Sequence, residues 1–145
     1  MKHANAKNIE MRVELYRDPR DGWDDNLLVI NRGDHNQVFE KIPSDSEPHT
    51  ITWTLTGNAG SGEFCALDDA QNPGFTWLVR RPGEKVFRQL HHLGKTITMH
   101  NHHHDKSSEG IWHYQLFARF GDKIFGVPLT FSCGKSNPNP SIKNT

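Results

Sequence analysis

The chain has 145 residues, a length that suits one domain with room for a real core. Hydrophobic residues make up 34% and the mean hydropathy is -0.75, which predicts a thin core between two sheets rather than a doubly wound α/β domain with strands buried on both faces. With 17 basic and 17 acidic residues the formal net charge is +0, which excludes a basic nucleic-acid-binding domain, and no window is long and apolar enough to be a membrane-spanning helix.

In chain order, the N-terminal stretch MKHANAKN carries no apolar run of signal-peptide length. Ile9–Tyr16 then alternates, with Ile9, Met11, Val13 and Leu15 on one face and charges on the other, which predicts a half-buried strand. DPRDGWDDN reads as a loop, LLVINR as a short strand, RGDHN as a turn and QVFEKI as a strand closed by Pro43. His49–Gly57 is β-branched and alternating, with Ile51, Trp53 and Leu55 on one face. After the glycine-rich GNAGSG come the short strands EFCAL and FTWLV, separated by DDAQNPG. RRPGE places proline and glycine to reverse the chain. KVFRQL and KTITMHN follow as strands. Gly110–Phe120 and Lys123–Cys133 flank Gly121–Asp122 and form the clearest hairpin. Helical periodicity is absent throughout.

Short strands at this spacing predict an all-β fold, an antiparallel β-sandwich of about 7–10 strands. The expected organisation is a flexible N-terminus (1–8), a single sandwich domain (9–133) and a polar C-terminal tail (134–145). The default compartment is the cytoplasm, with Cys65 and Cys133 reduced; a secreted form would permit a Cys65–Cys133 disulfide.

The segment SSEGIWHYQL resembles the corner and F strand of immunoglobulin-like domains, through Ser108, Gly110, Trp112 and Tyr114 at alternate positions. The resemblance implies an Ig-like, Greek-key arrangement in which Trp112 makes the corner contact and Trp53 or Trp77 is the core tryptophan of the opposing sheet. Tyr114 stands where that family has its second cysteine, so the antibody-type bridge is not implied. The strands TITW, TITMHN and GIWHY and the ending PSIKN are similar to the DP-EP family, small uncharacterised bacterial proteins with Ig-like or cupredoxin-like sandwiches. That ending departs from the family at Asn139–Pro140, and the family carries no activity over.

HNHHHD, from His100 to Asp105, holds four of the ten histidines. If the preceding strand continues through it, His100, His102 and His104 share a face and His103 points away. Neutral imidazole is a ligand for zinc, nickel and copper, His113 on the next strand is a further candidate, and Asp105 and Glu109 are candidate tautomer-fixing partners. The plainer reading is a solvated polar connection between strands. His102, His104 and Glu109 also resemble the H-x-H-and-glutamate set of cupins, which implies iron or manganese ligation on a jelly roll. Thr96 stands where cupins have glycine, and no histidine follows His113 to complete the set. A cupredoxin copper site would need a histidine and a methionine after Cys133, and neither is present.

The remaining candidates read as structure. Cys65 alternates with apolar neighbours as a small hydrophobe. The acidic runs at Asp21–Asp25 and Asp68–Asp69 match no EF-hand loop, and GNAGSG lacks the lysine of a phosphate loop. Arg32–Asp34 is a chance RGD. Arg80, Arg81, Lys85 and Arg88 make a basic edge of the kind that blocks strand pairing. The expectation is therefore a small, soluble, non-catalytic binding or structural module without a required cofactor. Its partner is an unidentified protein or small molecule, not nucleic acid or a membrane, or a second copy paired through sheet edges. The alternative is a cupin-like metal-dependent enzyme or a zinc-, nickel- or copper-binding protein that uses His100, His102, His104, His113 and Glu109.

Overall fold

The computed structural model describes residues 5–17, 22, 26–128 and 140–145. The fold is an all-β sandwich of two mixed sheets, neither closed into a barrel. The strands are β1 (Asn8–Leu15), β2 (Leu28–Ile30), β3 (Asn36–Phe39), β4 (His49–Leu55), β5 (Glu63–Phe64), β6 (Phe75–Leu78), β7 (Phe87–Leu93), β8 (Thr96–Asn101), β9 (Gly110–Phe120), β10 (Lys123–Gly126) and β11 (Ser141–Asn144). Among the described residues no helix is long and apolar enough to cross a membrane.

The first sheet has the order β2-β1-β4-β8-β7. The second is built around β9. One edge of β9 pairs with β10 over Phe117–Phe120 and with β11 over Gly110–His113. Its other edge pairs with β6 and β5, and β3 closes the sheet beyond β11. The period-2 patterns explain which residues meet. Met11, Val13 and Leu15 of β1, Ile51, Trp53 and Leu55 of β4, and Ile97 and Met99 of β8 turn inward from the first sheet. Tyr114, Leu116 and Ala118 of β9, Phe75 of β6 and Ile142 of β11 join them in one core from the second. Trp53 lies at its centre, edge-on to Tyr114 at 5.3 Å, and its indole N–H donates to the Tyr114 hydroxyl at 3.1 Å. The β9–β10 hairpin turns through Gly121 (φ 65°) and Asp122, as the GD signal predicts.

Three differences from the sequence reading have physical causes. Two pairings are parallel, β1 with β4 and β3 with β11, each within one sheet and between strands whose long connection returns the chain in the same direction. The segment 134–145 is not wholly a tail: Ser141–Asn144 is an internal strand that fills the β9 edge beyond β10, and its Ile142 buries beside the core. The N-terminal strand begins at Asn8, one residue earlier than expected. Residues 134–139 and Cys133 lie outside the described residues, as do Asp21, Asp24 and Asp25. At the exposed edge strand β7 a register shift between Arg88 and His91, with Gln89 at φ 56°, breaks the regular ladder that another strand would need.

Candidate functional site at the histidine strip

β8 sits between β4 and β7, so its side chains divide strictly between core and solvent. Ile97, Met99 and Asn101 are buried, and the alternation continues past the end of the strand, with His103 also buried. The main chain keeps its course because the His102 N–H donates to the Val86 carbonyl (2.6 Å) and the Ile42 N–H donates to the His103 carbonyl (2.9 Å). His100, His102 and His104 consequently stand in one row on the outer face of the first sheet. Their ring centroids are 6.3 Å apart for His100 and His102, and 5.7 Å apart for His102 and His104.

The three rings differ in how they are held. His104 Nδ1 donates to the Pro43 carbonyl at 2.9 Å; since a carbonyl only accepts, the ring's Nε2 carries the lone pair when neutral. His100 and His102 make no side-chain hydrogen bond within the described residues. Partial burial, then the Arg88 guanidinium and the neighbouring His104 and His100, lower the His102 pKa and favour its neutral form. The register continues the row sideways, Asn8 opposite Thr50, Thr50 opposite His100 and His100 opposite Arg88. An open cleft beside it is lined by Asn8, Glu47, Thr50, Gln89, His100 and His102.

The inward side is a closed polar network. His103 Nε2 lies 2.7 Å from the Thr145 main-chain oxygen and donates to it; Nδ1 lies 2.7 Å from Ser108 Oγ. Ser108 ends a short 3-10 turn (Lys106–Ser108) capped by Asp105, whose carboxylate accepts from the Ser107 N–H at 2.9 Å. Asn101 and Asn144 bond reciprocally, and the Asn144 amide also donates to the Ser108 carbonyl at 2.9 Å. His49, wholly buried, accepts from the Lys7 N–H at Nδ1 and donates from Nε2 to the Glu40 carbonyl, both at 2.9 Å. Desolvation lowers the pKa of both His49 and His103.

The other expected ligands are placed elsewhere. Glu109 forms an ion pair with Lys41, whose hydrogen bond lowers its pKa, and it lies near His103 rather than the outward row. His113 alternates with the buried Trp112 and Tyr114 of β9, so it faces outward from the second sheet, across the sandwich from the strip. Its Nδ1 is buried without a hydrogen-bond partner. The cupin-like set of His102, His104 and Glu109 is therefore not gathered. Among the described residues no group of three or more His, Cys, Asp or Glu side chains is arranged to hold a metal ion.

Parity with Ile51, Trp53 and Leu55 marks His49 as inward-facing, and parity with Ile97 and Met99 does the same for Asn101 and His103. Asn144 has no comparable signal, since its partners come from β8 and the 3-10 turn. Cys65 is a free, buried thiol, and burial pushes its pKa up, away from nucleophilic use. Asp69 caps its own loop by accepting from the Gln71 and Asn72 N–H groups. No protein-family model matches the chain, and no curated protein matches it.

Proposed function

We propose that this chain is a small Ig-like module that acts by binding rather than by catalysis. Its contact surface is the outer face of the first sheet at the His100–His104 end. One observation carries the reading: the imidazoles divide into two sets. The inward ones, His49 and His103, have both ring nitrogens hydrogen-bonded within the fold. His100, His102 and His104 stand in one outward row, with only His104 Nδ1 bonded, to the Pro43 carbonyl, and His100 and His102 line the cleft. A catalytic site would need a nucleophile or an acid–base pair within hydrogen-bond reach of one another. Asp105, the carboxylate next in sequence, caps the 3-10 turn, Glu109 is paired with Lys41, and the His103–Ser108 contact is buried away from the outward row. The Ig-like assignment is supported by the Trp53–Tyr114 contact, which joins the two sheets where that family sets its core tryptophan against its bridge.

The test is a fragment screen read by amide shifts of isotope-labelled protein. Shifts clustered on Asn8, Thr50, Gln89, His100 and His102 are expected. Clustering on another face overturns the surface, and turnover of any substrate that is lost in His102→Ala or Glu109→Gln overturns the non-catalytic reading.

A further inference from the structure

We infer that the outer strip is a two-histidine site for a first-row divalent metal, copper(II) above nickel and zinc, held between His102 and His104. The inference deepens the binding reading, because it names a ligand chemistry for the same face. Two imidazoles bound through bonds of about 2.0–2.1 Å at neighbouring positions of one ion have ring centroids about 4.5 Å apart in tetragonal geometry and about 5 Å apart in tetrahedral geometry. The His102–His104 centroids are 5.7 Å apart and inclined at 62°, within about 1.2 Å of either separation, so the two rings must close by no more than that to share one ion. His100 and His102, at 6.3 Å, need a larger movement.

The second observation is how His104 is held. Its Nδ1 donates to the Pro43 carbonyl, the outer hydrogen bond that fixes the tautomer and aims Nε2 in histidines that ligate metals. His102 has no competing side-chain bond to break. Arg88 lies opposite His100 in the register, so a guanidinium flanks the His100 end of the row. His104, one step further along the row, borders the loop of Lys41, Pro43 and Asp45. With two protein nitrogens and water in the other positions, affinity follows the Irving–Williams order and copper(II) binds most tightly. Asp45 lines the recess beside His104 and supplies negative charge there, while Lys41 of the same recess is paired with Glu109.

The test is calorimetric titration of the untagged chain with copper(II), in a His3→Ala background that removes the N-terminal imidazole as a competing ligand. One ion per chain is expected. His102→Ala and His104→Ala are each expected to weaken binding by at least about tenfold, given that even outer-sphere partners of metal ligands are worth about 10–100-fold. His100→Ala should change affinity about twofold or less, and His113→Ala not at all. Paramagnetic broadening in the unsubstituted strip should centre on His102 and His104, a readout independent of any strip variant. Absence of saturable binding, unchanged affinity in both key variants, or an equal loss in His113→Ala overturns the site. Fragment shifts on this face without metal binding would overturn the metal site alone; metal binding with fragment shifts elsewhere would overturn the binding-surface reading alone.

Discussion

Asn101 of β8 and Asn144 of β11 exchange two amide hydrogen bonds, 2.8 and 3.0 Å long, and so tie one sheet to the other inside the sandwich. Each amide leaves its partner's donor and acceptor satisfied where water does not reach. Truncating one side strands the other. Asn101→Ala or Asn144→Ala is expected to cost about 1–3 kcal/mol for each group left unpaired. The double variant should cost less than the sum, with a coupling of roughly 0.5–3 kcal/mol. Urea unfolding of the four proteins measures it, and strict additivity would show that the pair does not act as a unit.

The Trp53–Tyr114 bond makes a similar test at the centre of the core. Tyr114→Phe keeps the ring that stacks on Phe75 at 5.2 Å and removes only the oxygen that accepts from the indole. The indole N–H is then buried without a partner, a loss of about 1–3 kcal/mol. The denaturation midpoint should fall with an unchanged slope. A midpoint equal to that of the parent protein would mean that the bond contributes nothing net.

Acid should weaken the fold through its buried histidines. Burial holds His49 below its ordinary pKa of 6.5, and the neighbouring Lys7, His103 and His104 act in the same direction, against the Glu40 carbonyl bond. The unfolded chain therefore takes up the proton first. The contribution of neutral His49 is complete above pH 6.5 and is lost as the pH falls from 6.5 towards the lower folded-state value. His103, lowered chiefly by desolvation, adds to the same slope. The melting temperature should be flat from pH 8 to 7 and fall between pH 6.5 and 5. His49→Gln should make that fall shallower, and an unaltered slope in the variant would remove His49 as its source.

Val79 is a β-branched residue at φ 68° and is 96% exposed, immediately after β6. A left-handed backbone costs such a residue about 1–2 kcal/mol and the exposed side chain returns no packing. Glycine relieves the strain at an entropic cost of about 0.5–1 kcal/mol. Val79→Gly should thus stabilise by roughly 0.5–1 kcal/mol, a rise of about 2 °C in Tm by calorimetry. A fall would show that Val79 makes a contact worth more than its strain.

Strand positions were largely legible because a half-buried strand must alternate, and the same parity rule placed His100, His102 and His104 together and His103 apart. Alternation carries no information about which strands pair. The parallel partners of β1 and β3 were invisible for that reason, and so was β11, whose four residues hold a single large apolar side chain, Ile142. Glu109 and His113 looked close to the strip in sequence. The change of sheet between β8 and β9 sends His113 to the far face, and Lys41, distant in sequence, takes Glu109.

The placement of β11 also bears on how quickly the protein acquires its fold. Among the described residues β3 joins its sheet only through β11, and the Ser141–Asn36 hydrogen bond spans 105 positions of the chain. Closing so long a loop costs entropy before any contact repays it, which slows folding. Until it closes, β3 and the Gly110–His113 edge of β9 are unpaired strands in a partly formed sheet. Refolding should be slow and concentration-sensitive, since the same edges that wait for Ser141–Asn144 can be met first by another molecule.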